Sequence, residues 1–559
     1  MIDTHMNMSQ AFQHVAGQYP RREALVCGTG RATYGQLAEK TEALACGLHR
    51  LGVGKGDKVA TLLGPCSEFI CLFFALARLG GIIVPINPQF RHRQLSRILS
   101  DAEPLAVVTA AGVGEEALET IRGWGSESHT PCHLILTEGG SASDLHLADL
   151  MSVEPSTLLA LRPVDPHDLL ALLYTSGTTG FPKGAMHSHR SLIAPVVASL
   201  RLRQMRISRP SAQMVGRWAK VLGRYGPRLL RAVGRPQTFL STVGCHNITG
   251  LEVALQALLM GDRLVMMDRF NPLEALRLVE RERVTILVAV PMALSVMVRL
   301  RGSDRFDLSS LLICGTGSAP CPAELARQVQ ERLGCAVHIG FGTTELAGGI
   351  SATSLEDSER LQAETVGQPM PGMEVRIVDD RRRELPRGEV GELACRGDNV
   401  MLGYYRSPDR TAQVVDEEGW YYTGDLATMD EQGYLHIVGR KDDMIIRGGQ
   451  NIYPAELEEH LVSHSRIKEA AVAGVPGKLG GESVWAFVIL EEGMEMSAHE
   501  VLDHCRAEME AYKIPDRVRL VSDLPRSALG KPQKFKLREA ALKEMKGGND
   551  VCSGHRSIG

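Results

Sequence analysis

The sequence lacks several features that would point directly to a class of protein. Its 12 cysteines are scattered, with no C-x-x-C pair and no Cys/His cluster at zinc spacing, so we expect no zinc site. Residues 1–20 contain no apolar segment of the signal-peptide type, and we therefore expect free thiols in a reducing cytoplasm. The net charge of -4 argues against a nucleic-acid binder that depends on bulk positive charge.

A long, uninterrupted hydrophobic run is also missing. The nearest approach is residues 69–86, FICLFFALARLGGIIVPI, in which Arg78, two glycines and Pro85 interrupt the apolar side chains. The pattern predicts a buried helix that ends near Gly80 and a short strand over residues 82–85, not a membrane span.

The rest of the chain predicts an α/β fold with more than one domain, because 559 residues are too many for one ordinary core. Apolar runs such as residues 58–64 and 285–290 alternate with helical patterns such as residues 272–283, which indicates βαβ units and mainly parallel sheets. Beyond about residue 370, short strands separated by Gly-rich turns predict a smaller β-barrel-like section. We place the end of a large N-terminal domain at residue 440, a small α+β C-terminal domain over 441–546, and a flexible tail over 547–559.

One stretch, YTSGTTGFPKG at 174–184, concentrates hydroxyls, glycines and a lysine after an apolar strand. It is not a P-loop, because that motif places Lys and then Ser or Thr directly after its last glycine. A flexible surface turn is the alternative, but the combination favours a loop that binds a phosphate chain. The candidate phosphate-binding residues are Thr175, Ser176, Gly177, Thr178, Thr179, Gly180 and Lys183.

Four further stretches carry candidate functional side chains. In HIGFGTTEL (338–346), Phe341 suits stacking on a base, Thr344 a phosphate and Glu345 Mg²⁺, although such a segment can also be a structural turn. In WYYTGDLA (420–427), Asp425 suits the two hydroxyls of a ribose or, equally, a tight turn. Arg440 in GRKDDMII could reach the same sugar. Gly530 presents Lys531 on a loop, where an ordinary solvated lysine is the alternative.

These five stretches, in this order and spacing, resemble the adenylate-forming superfamily, which includes acyl-CoA synthetases, firefly luciferase and the adenylation domains of peptide synthetases. The resemblance extends from residues 12–26 to the Lys531 loop, and residues 439–458 resemble the CoA ligase branch in particular. It implies an enzyme that joins a carboxylic acid to AMP at the expense of ATP and then transfers the acyl group to a thiol, commonly that of coenzyme A.

The resemblance also implies roles for individual residues. The 175–183 loop would close on the β- and γ-phosphates, Thr344 would bond the α-phosphate, and Glu345 would bind Mg²⁺. Asp425 and Arg440 would hold the ribose, while Lys531 would bridge the substrate carboxylate and the α-phosphate. Gly317, Ser318 and Ala319 would line the adenine site, with Phe341 stacking on the base. Gly340, Gly342 and Thr343 would also contribute to binding the nucleotide.

Three more expectations come from the same resemblance. His246 would lie near the acyl carboxylate and gate the acyl site, with a satisfied core histidine as the alternative. The C-terminal domain would swing about Asp442 after adenylation, which makes it mobile. That swing would remove Lys531 and bring the turn at Gly448 and Gly449 to the CoA channel.

The substrate and the acceptor stay open at this point. The candidate pocket residues are small or apolar and favour a medium- or long-chain fatty acid, whereas Asn247 beside His246 keeps an aryl or alicyclic acid as the alternative. A carrier protein could replace CoA, and a non-catalytic binding protein of the same fold is the competing class. The candidate pocket residues are Asn247, Thr249, Gly250, Val290, Met292, Gly315 and Gly349.

The segment 201–237 is strongly basic and contains no acidic residue. Residues 205–235 could therefore form an amphipathic helix that contacts an anionic membrane or an acidic carrier protein, or a solvated helix that covers the acyl pocket. The sequence leaves this choice and the oligomeric state open.

Overall fold

The computed structural model describes residues 2–127, 132–140, 144–154, 162–175, 182–208, 221, 223, 234–319, 321–447, 450–476, 482–526 and 530–547. The chain groups into two compact units. The first comprises Met1–Val375 and Cys395–Tyr421, and the second comprises Arg376–Ala394 and Tyr422–Gly559. The domain boundary after residue 440 stays a prediction.

The helices alternate with strands along most of the chain, as the hydrophobic pattern predicts. The α-helices within the described residues are α1 Met8–Gln18, α2 Tyr34–Arg50, α3 Ser67–Leu79, α4 His92–Ala102, α5 Glu115–Glu127, α6 Leu147–Met151, α7 His189–Ser208, α8 Ile248–Leu259, α9 Pro272–Arg281, α10 Pro291–Arg299, α11 Ala323–Leu333, α12 Glu359–Glu364, α13 Pro408–Val414, α14 Pro454–Val462, α15 Ala498–Glu508 and α16 Lys534–Gly547. Short 3₁₀ turns lie at Ala111–Val113, Ser303–Arg305, Thr344–Leu346 and Lys441–Asp443.

The strands form two large sheets in the first unit and smaller sheets in the second. In chain order they are β1 Glu23–Cys27, β2 Gly30–Thr33, β3 Lys58–Leu62, β4 Ile82–Pro85, β5 Ala106–Thr109, β6 His133–Leu136, β7 Leu145–His146, β8 Leu169–Thr175, β9 Lys183–Ser188, β10 Thr238–Ser241, β11 Arg263–Met266, β12 Ile286–Val288, β13 Ile313–Thr316, β14 Ala336–Thr343, β15 Gly348–Ala352, β16 Gln368–Pro369, β17 Glu374–Val378, β18 Gly391–Arg396, β19 Gly403–Tyr404, β20 Tyr421–Met429, β21 Leu435–Arg440, β22 Ile445–Arg447, β23 Gln450–Ile452, β24 Ile467–Pro476, β25 Glu482–Leu490 and β26 Arg517–Leu520.

Parallel pairing dominates the centres of both large sheets, which confirms the predicted α/β class. One sheet has the order β16-β15-β14-β13-β12-β10-β11-β1-β2, and the other has the order β19-β9-β8-β4-β3-β5-β6-β7. In the second unit, the β-rich section predicted beyond residue 370 is a sheet with the order β17-β18-β20-β21. Two further sheets, β22-β23 and β24-β25-β26, follow it along the chain.

The largest core of the first unit takes side chains from both large sheets and from helices α1, α2, α3 and α8. The rings of Phe12 and Phe74 stack there, with centroids 4.1 Å apart. The predicted helix within residues 69–86 is confirmed as α3, which ends at Gly80 with φ of 72°, and the predicted strand is β4. Within the described part of the chain, no helix is both long enough and apolar enough to cross a membrane.

Asp262 anchors the two ends of the basic stretch 201–237. Its carboxylate accepts hydrogen bonds from Arg203 Nη1 at 2.9 Å and from the backbone N–H of Gln237 at 2.8 Å. Burial raises the pKa of Asp262 to about 6, an effect that Arg203 and the Gln237 N–H partly offset. The Asp262 side chain is 1% exposed, so its removal would leave two donors without an acceptor at a poorly hydrated position.

We expect Asp262→Ala to lower the free energy of unfolding by about 2–4 kcal/mol, because it breaks a largely buried ion pair and leaves its donors without an acceptor. Denaturant unfolding of the purified variants would measure this. The matched control is Asp307→Ala, which breaks the exposed pair between Arg283 Nη1 and Asp307 Oδ2 and should lower the free energy of unfolding much less. Equal losses in the two variants would contradict the anchoring role.

Candidate active site

The phosphate-loop candidates begin and end on one antiparallel hairpin. Strands β8 and β9 pair so that Thr175 faces Lys183 and Tyr174 faces Gly184. Ser176, Gly177, Thr178, Thr179 and Gly180 lie outside the described residues, so their predicted role stays a prediction. The strand register nevertheless holds Thr175 and Lys183, the first hydroxyl and the lysine of the motif, directly opposite each other.

Lys183 and Glu345 both lie next to one aromatic side chain, that of Tyr404. Lys183 Nζ is 5.1 Å from the centroid of the Tyr404 ring. The Tyr404 hydroxyl donates a hydrogen bond to Glu345 Oε1 at 2.8 Å. The structure thus brings together the predicted phosphate-binding lysine and the predicted Mg²⁺-binding carboxylate. Sequence reasoning missed Tyr404, which lies in a Gly-Tyr-Tyr segment far along the chain from both partners.

The turn that carries Thr344 and Glu345 is held by buried donors. The backbone oxygen of Thr344 accepts a hydrogen bond from His187 Nε2 at 2.7 Å, and that of Glu345 accepts one from the N–H of Met401 at 2.8 Å. Burial lowers the pKa of His187 to about 4, so the ring is neutral near pH 7. Because a carbonyl oxygen only accepts, the single proton of the neutral ring sits on Nε2.

The nucleotide-site candidates lie directly after β13 and on β14, its parallel neighbour in the sheet. Ser318 follows strand β13, and its hydroxyl is 2.7 Å from the hydroxyl of Thr249 in the first turn of α8. Phe341 lies on β14 opposite Ser351 of β15. Of the remaining candidates, Gly317 and Ala319 follow β13, whereas Gly340, Gly342 and Thr343 lie on β14.

Several buried polar atoms in this region have no hydrogen-bond partner among the described residues. They are Thr316 Oγ1, Thr343 Oγ1 and His246 Nδ1. A buried polar atom without a partner is unfavourable by about 1–3 kcal/mol. Their clustering around β13, β14 and the start of α8 fits a ligand rich in hydrogen-bonding groups, such as a nucleotide.

His246 lies just before helix α8 and packs against Gly244. Burial lowers its pKa to about 4, so its imidazole is neutral near pH 7. A Cβ atom at Gly244 would lie 2.6 Å from Cε1 and 2.7 Å from Nδ1 of the ring. The absence of a side chain at Gly244 therefore sets the position of the His246 ring.

The predicted acyl-pocket residues cluster only in part around α8. Asn247 is the N-cap of α8, and its Oδ1 accepts a hydrogen bond from the N–H of Thr249 at 3.0 Å. Gly250 is buried in the first turn of the same helix. Val290 precedes helix α10, Gly315 lies on β13 and Gly349 on β15, while Met292 is 43% exposed.

Sequence reasoning missed Glu252, which lies one turn further along α8 than Thr249. Its carboxylate faces Gly348 and Gly349, and burial raises its pKa to about 7, against a hydrogen bond from the N–H of Gly349. The signal was present in the sequence, because Glu252 is the only charged residue in the apolar segment ITGLEVALQALL.

In the second unit, Asp425 and Arg440 are direct neighbours on the hairpin of β20 and β21. Arg440 Nη1 donates to Asp425 Oδ1 at 3.0 Å and to the backbone oxygen of Thr423 at 3.2 Å. The Asp425 side chain is 9% exposed. The two residues predicted to hold a ribose therefore form one pre-organised carboxylate–guanidinium pair.

Lys531 is electrostatically coupled to the same pair. Desolvation and the positive charge of Arg440 lower the pKa of Lys531, whereas the negative charge of Asp425 opposes them, although part of the lysine side chain is exposed. The preceding Gly530 offers its backbone oxygen to Arg526 at 3.2 Å, and Arg526 in turn forms an ion pair with Glu469. The loop that presents Lys531 is thus anchored to the sheet of this unit.

Asp442, the predicted hinge, is exposed in the 3₁₀ turn Lys441–Asp443. Its neighbour Lys441 forms ion pairs with Asp380 at 2.9 Å and with Glu392 at 3.1 Å. Gly448 and Gly449 lie outside the described residues, so their role stays a prediction.

The Tyr404–Glu345 hydrogen bond generates a test of the first-unit site. We expect Tyr404→Phe to raise the Mg²⁺ concentration needed for half-maximal acid-dependent pyrophosphate release by about tenfold, because a hydrogen bond to a charged group contributes about 1.5–3 kcal/mol. A Mg²⁺ titration measures this, with Tyr405→Phe as the neighbouring control. An unchanged Mg²⁺ requirement would show that the hydroxyl does not position Glu345.

The contact between Gly244 and His246 generates a second test. Adding one methyl group in Gly244→Ala must displace the His246 ring, and we expect acid-dependent pyrophosphate release to fall by about tenfold or more. The control is Gly17→Ala in α1, where a Cβ would meet no atom within 4 Å. If Gly244→Ala kept full activity while remaining folded, the ring position would not matter for acid activation.

Comparison with known proteins finds relatives that match nearly the whole chain. The chain is 31% identical to the mitochondrial medium-chain acyl-CoA ligase ACSF2 of Homo sapiens, over 96% of this chain and 88% of that protein. It is 30% identical to the medium-chain fatty-acid–CoA ligase of Escherichia coli strain K12, over 98% of this chain and 92% of that protein. The crystal structure of ATP-bound MatB from Rhodopseudomonas palustris is 27% identical and superposes with a TM-score of 0.81, covering 96% of this chain and 99% of MatB.

Two family models match the chain. The one described as AMP-binding enzyme matches residues 12–405, and the one described as AMP-binding enzyme C-terminal domain matches residues 456–531. The first match alone covers more than half of the chain, and the predicted resemblance and the predicted acid-activating class of enzyme are confirmed. The chain belongs to the AMP-binding enzyme family.

Proposed function

We propose that the protein activates a medium- or long-chain fatty acid and transfers it to coenzyme A. In the first step, a carboxylate oxygen of the acid attacks the α-phosphorus of ATP, and pyrophosphate leaves. In the second step, the CoA thiol loses its proton and attacks the acyl carbon, and AMP leaves. The observation that carries the proposal is the placement of Lys183 and Glu345 around Tyr404, which suits a phosphate chain and its metal ion.

The first unit would supply the nucleotide and acyl sites. Thr175 and Lys183, with the intervening loop, would bind the β- and γ-phosphates, and Thr344 would bind the α-phosphate. The adenine would lie among Gly317, Ser318 and Ala319 with Phe341 against its face. Neutral His246 would lie at the entrance to the acyl site, where it adds no charge near the substrate carboxylate.

Glu345 would hold Mg²⁺. Its Oε1 already accepts from Tyr404, which leaves Oε2 to coordinate a metal. Among the described residues no group of three or more His, Cys, Asp or Glu side chains could hold a metal ion. A single carboxylate fits Mg²⁺, which completes its shell with water and phosphate oxygens. When bound, Mg²⁺ would neutralise part of the charge on the phosphates.

The second unit would supply the ribose site and the catalytic lysine. The Asp425 carboxylate accepts hydrogen bonds, so it suits the two ribose hydroxyls, and Arg440 holds it in place. Lys531 would offset negative charge between the carboxylate and the α-phosphate during adenylation. We further propose rotation about Asp442 between the two steps, after which Gly448 and Gly449 would line the CoA channel.

Two kinds of support favour a fatty acid and CoA. The human and Escherichia coli relatives are medium-chain ligases by name, and the α8 region offers mainly apolar side chains beside the candidate acyl site. An aryl or alicyclic acid is the alternative substrate, but Asn247 Oδ1 already caps α8, which weakens the case for its bonding a ring hydroxyl. A carrier protein remains the alternative acceptor.

The remaining parts of the proposal concern the cellular location of the protein and its contact with membranes or nucleic acids. We propose a cytoplasmic enzyme without nucleic-acid partners. A peripheral contact between an anionic membrane and residues 205–235 is tested by liposome co-sedimentation of the full chain and of a chain lacking that segment. Most of that segment lies outside the described residues.

A pyrophosphate-release screen tests the central proposal. The full chain would be incubated with ATP, Mg²⁺ and one acid at a time, with and without CoA. Release that depends on fatty acids, together with acyl-CoA formation, is the expected result. Release that depends only on aryl acids would favour the alternative substrate. No release with any acid would favour a non-catalytic binding protein.

If Lys531 acts only in the adenylation step, its substitution should impair one half-reaction and spare the other. We expect Lys531→Ala to lower acid-dependent pyrophosphate release by about a hundredfold or more, since it removes charge stabilisation from the first transition state. Thioester formation from supplied acyl-AMP and CoA should stay within a few-fold of the unsubstituted enzyme. Lys536→Ala, in helix α16 shortly after that loop, is the control. Equal loss of both half-reactions would contradict the two-step assignment.

A further inference from the structure

Three polar side chains share one face of the antiparallel pair β9 and β19. Lys183 and His187 are four residues apart on β9, so they point to the same side of the sheet, about 13 Å apart along the strand. Tyr404 of β19 pairs with Ala185, which lies midway between them, and therefore shares that side. The turn Thr344–Leu346 contacts this face through two of the three side chains.

Two separate hydrogen bonds tie the turn to that face. His187 Nε2 donates to the backbone oxygen of Thr344 at 2.7 Å, and the Tyr404 hydroxyl donates to Glu345 Oε1 at 2.8 Å. The first bond fixes the backbone of the turn, whereas the second fixes the carboxylate that is predicted to bind Mg²⁺. Lys183 Nζ is 5.1 Å from the centroid of the same Tyr404 ring, so one pair of strands carries the lysine and holds the carboxylate.

The hydrogen bond from His187 is not needed to form the turn itself. The Thr344 oxygen also accepts a hydrogen bond from the N–H of Ala347 at 3.1 Å, which closes the turn from within. The Leu346 oxygen accepts one from Asn399 Nδ2 at 3.0 Å. Loss of the imidazole would therefore leave a turn that still forms but is tied less firmly to β9.

His187 suits a positioning role because its ring is buried and uncharged. Burial lowers its pKa to about 4, an effect that the hydrogen bond to the Thr344 oxygen partly opposes. The Ser191 hydroxyl lies 3.2 Å from Nδ1, so both ring nitrogens have partners. Near pH 7 the ring adds no positive charge that would compete with Lys183 for phosphate oxygens. An apolar side chain would be easier to bury but would offer no donor to the turn.

We propose that His187 is a positioning residue for ATP bound with Mg²⁺. It fixes the backbone of residues 344–345 to the strand that starts at Lys183, and it thereby sets the spacing between the phosphate-binding lysine and the metal-binding carboxylate. The imidazole is buried and acts through that segment. The inference rests on the proposed function, because it assumes that Lys183 binds phosphates and that Glu345 holds Mg²⁺.

Calorimetric binding of ATP to the full chain, without any acid so that no turnover occurs, tests this role. We expect His187→Leu to raise the Kd for ATP by about tenfold with Mg²⁺ and by no more than about threefold with EDTA, because a displaced Glu345 matters only when the metal is bound. His187→Gln can donate from its amide to the same oxygen and should restore binding, whereas His187→Asn is one methylene shorter and should not. In pyrophosphate release, His187→Leu should raise the KM for ATP and leave kcat nearly unchanged.

His189→Leu is the matched control, because His189 is a second buried histidine whose pKa burial lowers to about 4. Its Nδ1 accepts from the N–H of Met8 at 3.1 Å, and its Nε2 has no hydrogen-bond partner in the described part of the chain. This variant should lower stability without changing the Kd for ATP. If His187→Leu does not fold, the comparison of His187→Gln with His187→Asn carries the test. An unchanged Kd with Mg²⁺, an equal loss with EDTA, or an equal loss in His189→Leu would overturn the inference and leave the proposed function intact. No pyrophosphate release with any acid by the unsubstituted enzyme would overturn both.

Discussion

The candidate site depends on one constraint, which is that a cation and a carboxylate lie close together without neutralising each other. The Tyr404 ring achieves this, because Lys183 lies over its face while its hydroxyl donates to Glu345. In the proposed function, the ammonium would serve phosphate oxygens and the carboxylate a metal ion. The hairpin of β8 and β9 carries Lys183, and the turn held by His187 carries Glu345.

The features that the sequence predicts best are those that depend on residues close together in the chain. Alternating apolar runs predict the strands, and the interruptions within residues 69–86 predict the end of α3 and the start of β4. Short motifs predict that Asp425 and Arg440 act at one site, and one hairpin does bring the two residues together. Tyr404 escapes such reasoning, since its partner Glu345 is 59 residues away and only the fold joins them. Residues 176–181 and 448–449 lie outside the described residues, and their roles stay predictions.

In the second unit, the pKa values of two lysines are shifted in opposite directions. Against partial desolvation, ion pairs with Glu456 at 2.6 Å and Glu510 at 3.0 Å raise the pKa of Lys513, which fixes it as a structural cation. For Lys531, desolvation and Arg440 lower the pKa and Asp425 opposes them. The proposed function assigns the catalytic role to Lys531 and not to Lys513, which two carboxylates hold.

Two titratable groups near the start of helix α8 are shifted by one physical effect. Desolvation lowers the pKa of His246 to about 4 and raises that of Glu252 to about 7, so the same burial favours the uncharged form of both groups. Between about pH 4 and pH 7 both side chains therefore favour their uncharged forms and can take part in hydrogen bonds with little fixed charge.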